Sequence, residues 1–535
     1  MGNDDPVKAK LSQNVFETVK ISPKLFQEEV KEQIAKVFKT SSVEVTGDFP
    51  SVSASSNPFP HCLVKDFLHE DGGGADDFVK DLLDDLTQLK FHEKSNDLYK
   101  FIQTDELFLS KSRDATNIST RLKHFASLIK NHMLPWLRDV TDVCLDDDVT
   151  MFCAQYSSTD CLLCHDDQLE NRCIAYVYYL TPDWLAHDGG ELQLFNEVLA
   201  NSGTLEPHHV VKSIVPMSNS LVFFQVSPKS FHQVAEVLSE MKTRISLTGW
   251  FHGPAISTPL PAKDPKLPVM TFIPASDGSV LSSWINPVYL SLSTQGEMQE
   301  QFVEDSEIQL NNFLLESKLD KIHGSLKLLE EYRRWEMQGP PNKRHYHKLL
   351  LQPKWDQQSS GENSAAKEEI KEAINFLQTF VDVFSSEEIF LYLSNTTGLT
   401  FHPMAVDSES DDSDDDITPE KRQKRIEKKR ETPGCRLDLR RWCPGSYTLI
   451  KDTDAERGEF ALDVNLFFCQ SEWKEEYGGY TSYIASDEAE ELLTIVPANN
   501  CLSMTYRDKD AMRFVKHVNH TAPLPFYDLS AVYYE

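Results

Sequence analysis

The sequence predicts an α+β chain that is mainly β: two tandem antiparallel barrels of the jelly-roll kind with flanking helices, the second a degraded copy of the first. Three observations predict it. Short segments rich in β-branched and aromatic residues recur with turn residues between them: Met151–Tyr156, Cys173–Leu180, Glu191–Phe195, Leu221–Val226 and Thr243–Phe251. Stretches with helical spacing lie on either side of that region. The tail then repeats it. GGYTSYI at 478–484 echoes GGELQLF at 189–195, and LLTIVPANNCLSMTYRDKDAMRFVKHV at 492–518 echoes VVKSIVPMSNSLVFFQVSPKSFHQVAEV at 210–237.

Taken in order, residues 1–55 read as a polar N-terminal extension with one amphipathic stretch, Pro23–Phe38, where Leu25, Phe26, Val30, Ile34 and Val37 recur at helical spacing. The first barrel is expected over 56–255. Asn57–Leu68 supplies a short strand and Gly72–Gly74 breaks the chain. Asp76–Leu89 and Arg113–Asp139 read as helices, the second with Leu122, Phe125, Leu128 and Ile129 on one face, suited to buttress a sheet. Residues 256–280 are a linker, since Gly253–Pro268 is rich in proline. The second barrel is expected over 281–535. Ser282–Arg334 reads as mostly helical, with Leu315, Leu319, Ile322, Leu326 and Leu329 in register. GPPNKRHYH at 339–347 is a breaker whose His345 and His347 are expected at the surface, and Ile370–Leu393 forms one or two helices. Residues 407–431 join an acidic block to a basic one, cannot bury apolar area, and are expected to be disordered. Lys421–Arg430 reads equally as a nuclear localisation signal or as a charge-neutralised linker, and Ser408, Ser410 and Ser413 sit among acids where an acid-directed kinase would act.

The chain has 535 residues, too many for one core, and a formal net charge of −31. That charge argues against direct nucleic-acid binding and favours a basic protein partner. Ten cysteines in this length, with no apolar leader in MGNDDPVKAK, point to free thiols in a reducing compartment. No run approaches the roughly 20 apolar residues that span a bilayer, so no membrane partner is expected. The expected localisation is cytoplasmic and nuclear.

The chemistry concentrates in one stretch. His165 is followed two residues on by Asp167, and His232 and Arg244 come later, all among predicted strands. Two imidazoles and one carboxylate make the facial ligand set of a non-haem iron(II) site with open positions. Residues i and i+2 of a strand point to one side, which selects Asp167 over Asp166. The bland alternative is that a lone His-X-Asp is a chance pattern and a lone strand histidine is packed or solvated; His232, Arg244 and the strand context weigh against it. Cys161 and Cys164 complete Cys-X-X-Cys-His, a pattern of c-type haem attachment, but that chemistry needs export. Zinc would need a second ligand pair. The simpler reading is two cysteines lining a loop beside His165, with a redox-sensitive thiol as the alternative.

The order His165-X-Asp167, His232, Arg244 resembles the 2-oxoglutarate- and iron-dependent oxygenases. HDDQLENRCIAYVYYL, LVFFQVSPKSFHQVAEVLSE and RISLTGWFHGP resemble, more narrowly, the two-domain ribosomal prolyl hydroxylases. The resemblance implies a double-stranded β-helix holding iron(II), with 2-oxoglutarate and dioxygen as co-substrates and ascorbate as accessory reductant. It implies that Arg244 pairs with the distal carboxylate of 2-oxoglutarate through its guanidinium fork, and that Tyr156 and Tyr179 contact the same co-substrate. As ordinary strand residues those tyrosines would be core. It further implies hydroxylation, at carbon 3, of a prolyl residue of a small-subunit ribosomal protein at the decoding centre, with an effect on translation. Matching Phe231 to Phe514 puts Val515 where His232 stands and Tyr527 where Arg244 stands, so the second copy is expected to bind neither iron nor 2-oxoglutarate. The rival reading is a scaffold without turnover that recruits translation factors through the second barrel and the charged insertion.

Overall fold

The computed structural model describes residues 18–39, 46–71, 73–107, 118–169, 171–254, 268–274, 280–332, 334–351, 364–402, 433–455, 460–485 and 491–534. The insertion at 407–431 lies outside them. The chain divides into two compact units, 1–262 with 340–342, and 263–339 with 343–535. Both are dominated by large antiparallel sheets.

The first unit is organised around eight strands: β1 (Phe152–Tyr156), β2 (Cys161–His165), β3 (Arg172–Tyr179), β4 (Leu192–Leu199), β5 (Leu205–Ile214), β6 (Ser220–Gln225), β7 (His232–Val234) and β8 (Arg244–His252). They pair in the order β5-β4-β7-β2, then Tyr99–Thr104, then β1-β8-β3-β6, with His61–Lys65 continuing past β6. β3 and β6 are nearly continuous apolar runs because both of their faces are covered. One face offers Ile174, Tyr176, Tyr178, Leu221 and Phe223 to a helical layer. The other offers Ala175, Tyr179, Val222 and Phe224 to the interior of the sheet. Strand alternation thus sends Tyr178 outward to the helices and Tyr179 inward.

The helical layer comprises α1 (Glu28–Lys39), α2 (Asp76–Thr87), α3 (Thr120–Leu128) and α4 (Leu134–Thr141). Residues 18–39 are no loose extension. Leu25, Val30, Ile34 and Val37 are buried in the same core as the strands, and Phe38 stacks on Phe223 at 5.7 Å. The periodicity was legible, but its burial partner was not. The helix expected over 113–139 is described from residue 118 onward, and there it comes in pieces. A π-helical turn, Ile129–Met133, separates α3 from α4, just before Pro135, which has no N–H to continue the α ladder.

The second unit contains β9 (Gly434–Trp442), β10 (Ala461–Phe468), β11 (Thr481–Ala485), β12 (Glu491–Ile495), β13 (Cys501–Arg507), β14 (Ala511–Val515) and β15 (Phe526–Tyr534). One sheet runs β13-β10-β15-β9 and the other β12-β11-β14. Helices α5 (Leu292–Asp305), α6 (Glu316–Glu331), α7 (Ser364–Phe384) and α8 (Glu387–Thr397) share its core. The stretch expected as mostly helical, 282–334, also holds a strand, Glu307–Asn311, on the edge of β13. Its buried Ile308 and Leu310 alternate with exposed Gln309, a period of two that the longer helical pattern around it masks. His345 and His347 are not surface residues either. Both are half-buried on the strand Arg344–Leu349, and His345 Nδ1 lies 2.8 Å from the Gly445 carbonyl.

The two units repeat each other in their joints. Asn219, at φ +55°, braces Leu68 through both ends of its amide, 2.9 and 3.0 Å. Asn500, at φ +54°, braces Leu314 at 2.8 and 3.0 Å. Trp184 Nε1 donates to the Gly189 carbonyl and Trp473 Nε1 to the Gly478 carbonyl, both at 2.8 Å. Gly189 and Gly478 have φ of +73° and +71°, and a Cβ on either would stand about 2 Å from a backbone carbonyl oxygen. Tight-turn geometry explains these glycines.

Candidate metal centre

His165 ends β2 and faces His232 at the start of β7 in direct register, their ring centroids 4.2 Å apart. Asp167 lies past the end of β2 with φ +62°, so strand alternation is not what aims its carboxylate. A turn does. The Leu169 N–H donates to the Asp167 carbonyl at 2.7 Å, and the Gln168 N–H to Asp166 Oδ1 at 3.1 Å. Asp166 shapes the turn and Asp167 is delivered by it.

His165 Nε2 is 3.6 Å from Asp167 Oδ1, and His232 Nε2 is 3.5 Å from Oδ2. Among the described residues these three form the one group of metal-binding geometry, with ligand atoms all within 4.8 Å. The other ring nitrogens are engaged: His165 Nδ1 donates to the Leu163 carbonyl at 2.8 Å, and His232 Nδ1 to the Ser230 carbonyl at 2.7 Å. Carbonyls only accept, so each imidazole carries its proton on Nδ1 and presents an Nε2 lone pair to the centre. The Ser230 hydroxyl donates to the Asp166 carbonyl at 2.8 Å and ties the two ligand loops together.

The carboxylate is held by two groups that spacing did not reveal. Trp250 Nε1 donates to Asp167 Oδ2 at 3.0 Å, and Arg172 Nη1 to Oδ1 at 3.2 Å. The Arg172 guanidinium lies over the Trp250 ring, 3.7 Å from its centroid. Burial alone would raise the Asp167 pKa; the facing imidazoles of His165 and His232 and the Arg172 guanidinium outweigh it and hold the carboxyl well below its ordinary range. Burial and the neighbouring His165 push His232 down to about 4, leaving a neutral imidazole. Burial acts to lower His165 too, but the Asp167 carboxylate facing it wins and raises it.

Arg244, at the start of β8, is 1% exposed. Its Nε donates to the Gly190 carbonyl at 2.8 Å and its Nη1 reaches Ser246 Oγ at 3.4 Å, but no carboxylate of the described residues pairs with it. A buried guanidinium without a counter-ion is costly and calls for an anionic ligand. Tyr156 and Tyr179 flank it, ring centroids 5.0 and 5.1 Å from the guanidinium carbon. The Tyr179 hydroxyl is buried without a hydrogen-bond partner. Burial raises both phenols, against the opposing charge of Arg244, so both are neutral donors. Gly190, at φ +69°, lets the chain pass close by: a Cβ there would sit 3.0 Å from Arg244 Cδ. The donor set fits the expected groups, with two Nε2 atoms and a carboxylate for iron(II), and a guanidinium with two phenols for a carboxylate.

Cys161 and Cys164 lie within β2 rather than in a loop, and both are buried. Burial lifts the Cys164 pKa well above the ordinary thiol value, which leaves an inert thiol packed with Phe195 and Phe231. The haem and redox readings of this pair lose their footing.

In the second unit, pairing corrects the alignment of the copies. Leu192 pairs with Val234 and Leu194 with His232; Thr481 pairs with Val515 and Tyr483 with Arg513. Since Gly189-Gly190 and Gly478-Gly479 occupy the same joint, Arg513, and not Val515, takes the place of His232. Likewise Phe526, and not Tyr527, takes the place of Arg244, because a Cβ on Gly190 meets Arg244 while one on Gly479 meets Phe526. The degraded copies differ in loop length, and a match anchored on one phenylalanine slips.

Residues 151–252 match the 2OG-Fe(II) oxygenase superfamily, and residues 276–535 match a family described as oxoglutarate and iron-dependent oxygenase degradation C-term. The chain is 41% identical to prolyl 3-hydroxylase OGFOD1 of Xenopus laevis, over 91% of this chain and 90% of the relative. It is 36% identical to the Mus musculus protein of the same name, over 97% and 96%. It is 27% identical to prolyl 3-hydroxylase sudestada1 of Drosophila melanogaster, over 90% and 84%. With its ligand triad in place and relatives of this identity along nearly its whole length, the chain belongs to the prolyl 3-hydroxylase family of 2-oxoglutarate- and iron(II)-dependent oxygenases.

Proposed function

We propose that this chain hydroxylates, at carbon 3, a prolyl residue of a small-subunit ribosomal protein. His165, Asp167 and His232 would hold iron(II), and Arg244 with Tyr156 and Tyr179 would hold the distal carboxylate of 2-oxoglutarate. The observation that carries the reading is the presence of both a three-ligand centre and a buried guanidinium with no acidic partner among the described residues. The iron site with 2-oxoglutarate and dioxygen supplies the oxidising power to place one oxygen atom on an unactivated carbon, releasing succinate and carbon dioxide. The residues' own work is positional. Carbonyl bonds at Nδ1 fix both imidazole tautomers, Arg172 and Trp250 keep Asp167 ionised and oriented, and Arg244 neutralises the co-substrate's far end. Ascorbate would keep the metal ferrous. A basic ribosomal protein suits an acidic chain.

We further read the chain as two tandem double-stranded β-helix domains, 56–255 catalytic and 281–535 without the ligand set. The matching Asn219 and Asn500 braces support the duplication. The test is the purified chain with iron(II), 2-oxoglutarate and prolyl peptides from small-subunit ribosomal proteins. Expected are peptide-dependent succinate release, a peptide gaining one oxygen, and a hydroxyl located at carbon 3 by NMR. Succinate release indifferent to every peptide, or oxygen at carbon 4, would remove the substrate reading.

The Asp167 clamp makes a separate prediction. Trp250→Phe keeps a ring under Arg172 but loses the 3.0 Å bond to Asp167. Metal affinity is expected to fall about tenfold, the usual scale for a group that orients a metal ligand. Iron or cobalt titration checks it, and unchanged affinity would assign Trp250 to packing alone.

A further inference from the structure

The second unit has a cleft walled by strands that correspond to those carrying His232 and Arg244 in the first. It is lined mainly by residues of β9, β10, β11, β14 and β15, and its charged and amide side chains are Arg436, Asp438, Arg440, Asp452, Asn465 and Arg513. The strand register shows how it was refitted. Arg513 stands at the position of His232. Asn465 pairs with Ser503 and Ser530, as Val177 pairs with Val222 and Thr248, so a buried amide replaces a valine. Arg440 pairs with Asp528, which pairs with Phe467, just as Ala154 pairs with Ser246, which pairs with Tyr179. At these two positions apolar side chains have become an amide and a guanidinium.

The charges lean one way. Asp463 is shared by Arg507 at 3.0 Å and Arg513 at 2.7 Å, and Asp438 by Arg436 at 2.9 Å and Lys348. Arg440 pairs with Asp528, and Arg344 with Asp452. Among these described groups cations outnumber carboxylates, in a chain whose net charge is −31. Burial opposes the charge on Asp463, yet Arg507 and Arg513 hold its pKa below the ordinary value, so the cluster is ionised. Asn465 is 2% exposed, lines the cleft, and its side-chain amide makes no hydrogen bond among the described residues, which leaves its N–H2 as an unused donor. The hydroxyl of Ser503, its register partner, is also buried and unpartnered. Buried polar groups without partners cost stability unless something fills the space they face.

We propose that this cleft binds a small oxyanion, a carboxylate or a phosphate group, between Arg513 and the Asn465 amide, without iron. Planar guanidinium forks match both kinds of oxyanion, and the two sources share this chemistry. The second unit is then a binding module rather than an inert copy.

Calorimetric titration of the full-length, metal-free protein with inorganic phosphate in one arm and succinate in the other tests it. Arg244→Gln serves as the background in both arms, so that the first cavity does not contribute. Saturable binding of at least one probe is expected. Asn465→Val restores the residue at the equivalent place in the first unit and should fold at least as well, while weakening binding about tenfold. Arg513→Gln keeps a donor toward Asp463, which retains Arg507, and should weaken binding by a similar factor. Which arm responds identifies the oxyanion. No saturable binding of either probe up to on the order of 10 mM, or binding that neither substitution changes, overturns the proposal and leaves a self-contained ion-pair network.

Discussion

Asp167→Ala is expected to abolish 2-oxoglutarate turnover, a loss on the order of a hundredfold or more, because even the outer partners of metal ligands are worth up to about that much. Four groups converge on this carboxylate: His165, His232, Arg172 and Trp250. Removing it takes away the one anionic ligand and leaves the Arg172 charge without its buried partner. Metal affinity should fall with turnover, which titration with iron or cobalt reads independently of any substrate. His165→Ala should behave alike, since it deletes an Nε2 donor whose tautomer is already set. The informative control is Asp166→Ala. Asp166 Oδ1 only accepts the Gln168 N–H that shapes the turn, so its loss should cost no more than about tenfold. Full activity in Asp167→Ala, or an inactive Asp166→Ala beside an active Asp167→Ala, would sink the ligand assignment.

The contrast between these two aspartates shows what was legible and why. The pattern His165-X-Asp167 could be read, but the strand argument for it was wrong, since a left-handed residue after the strand does the aiming. Runs such as β3 and β6 were legible because a buried strand must be apolar along its whole length. α1 was legible as a periodicity, not as part of the core, since a stripe does not say what it packs on. Arg172 and Trp250 could not be found at all. They meet at Asp167 only because β3 and β8 are paired neighbours, with a register shift just after Arg172, which spacing along the chain does not encode. The same limit explains Arg513. Two diverged copies align by eye on a shared phenylalanine, whereas hydrogen-bonded pairs count residues without regard to loop length.

The second large effect is expected at Arg244. Arg244→Lys should raise the KM for 2-oxoglutarate by about ten- to a hundredfold while leaving the KM for the peptide nearly unchanged. The guanidinium is fixed before any ligand arrives: Nε is spent on the Gly190 carbonyl, Nη1 leans on Ser246, and Tyr156 and Tyr179 face it from either side. What remains is a planar edge that meets a carboxylate with two parallel bonds. A lysine ammonium is a point charge on a flexible stem, and it would have to be buried here without a counter-ion, so it pays for its own desolvation before it binds anything. Tyr179→Phe should do much less, a few-fold in the same parameter, because its hydroxyl adds one neutral bond and is unpartnered until the co-substrate is present. The order of the two effects is the test. If Arg244→Lys leaves the 2-oxoglutarate requirement where it was, or if Tyr179→Phe exceeds it, then the buried guanidinium is a structural cation and the co-substrate's far carboxylate is held by other groups.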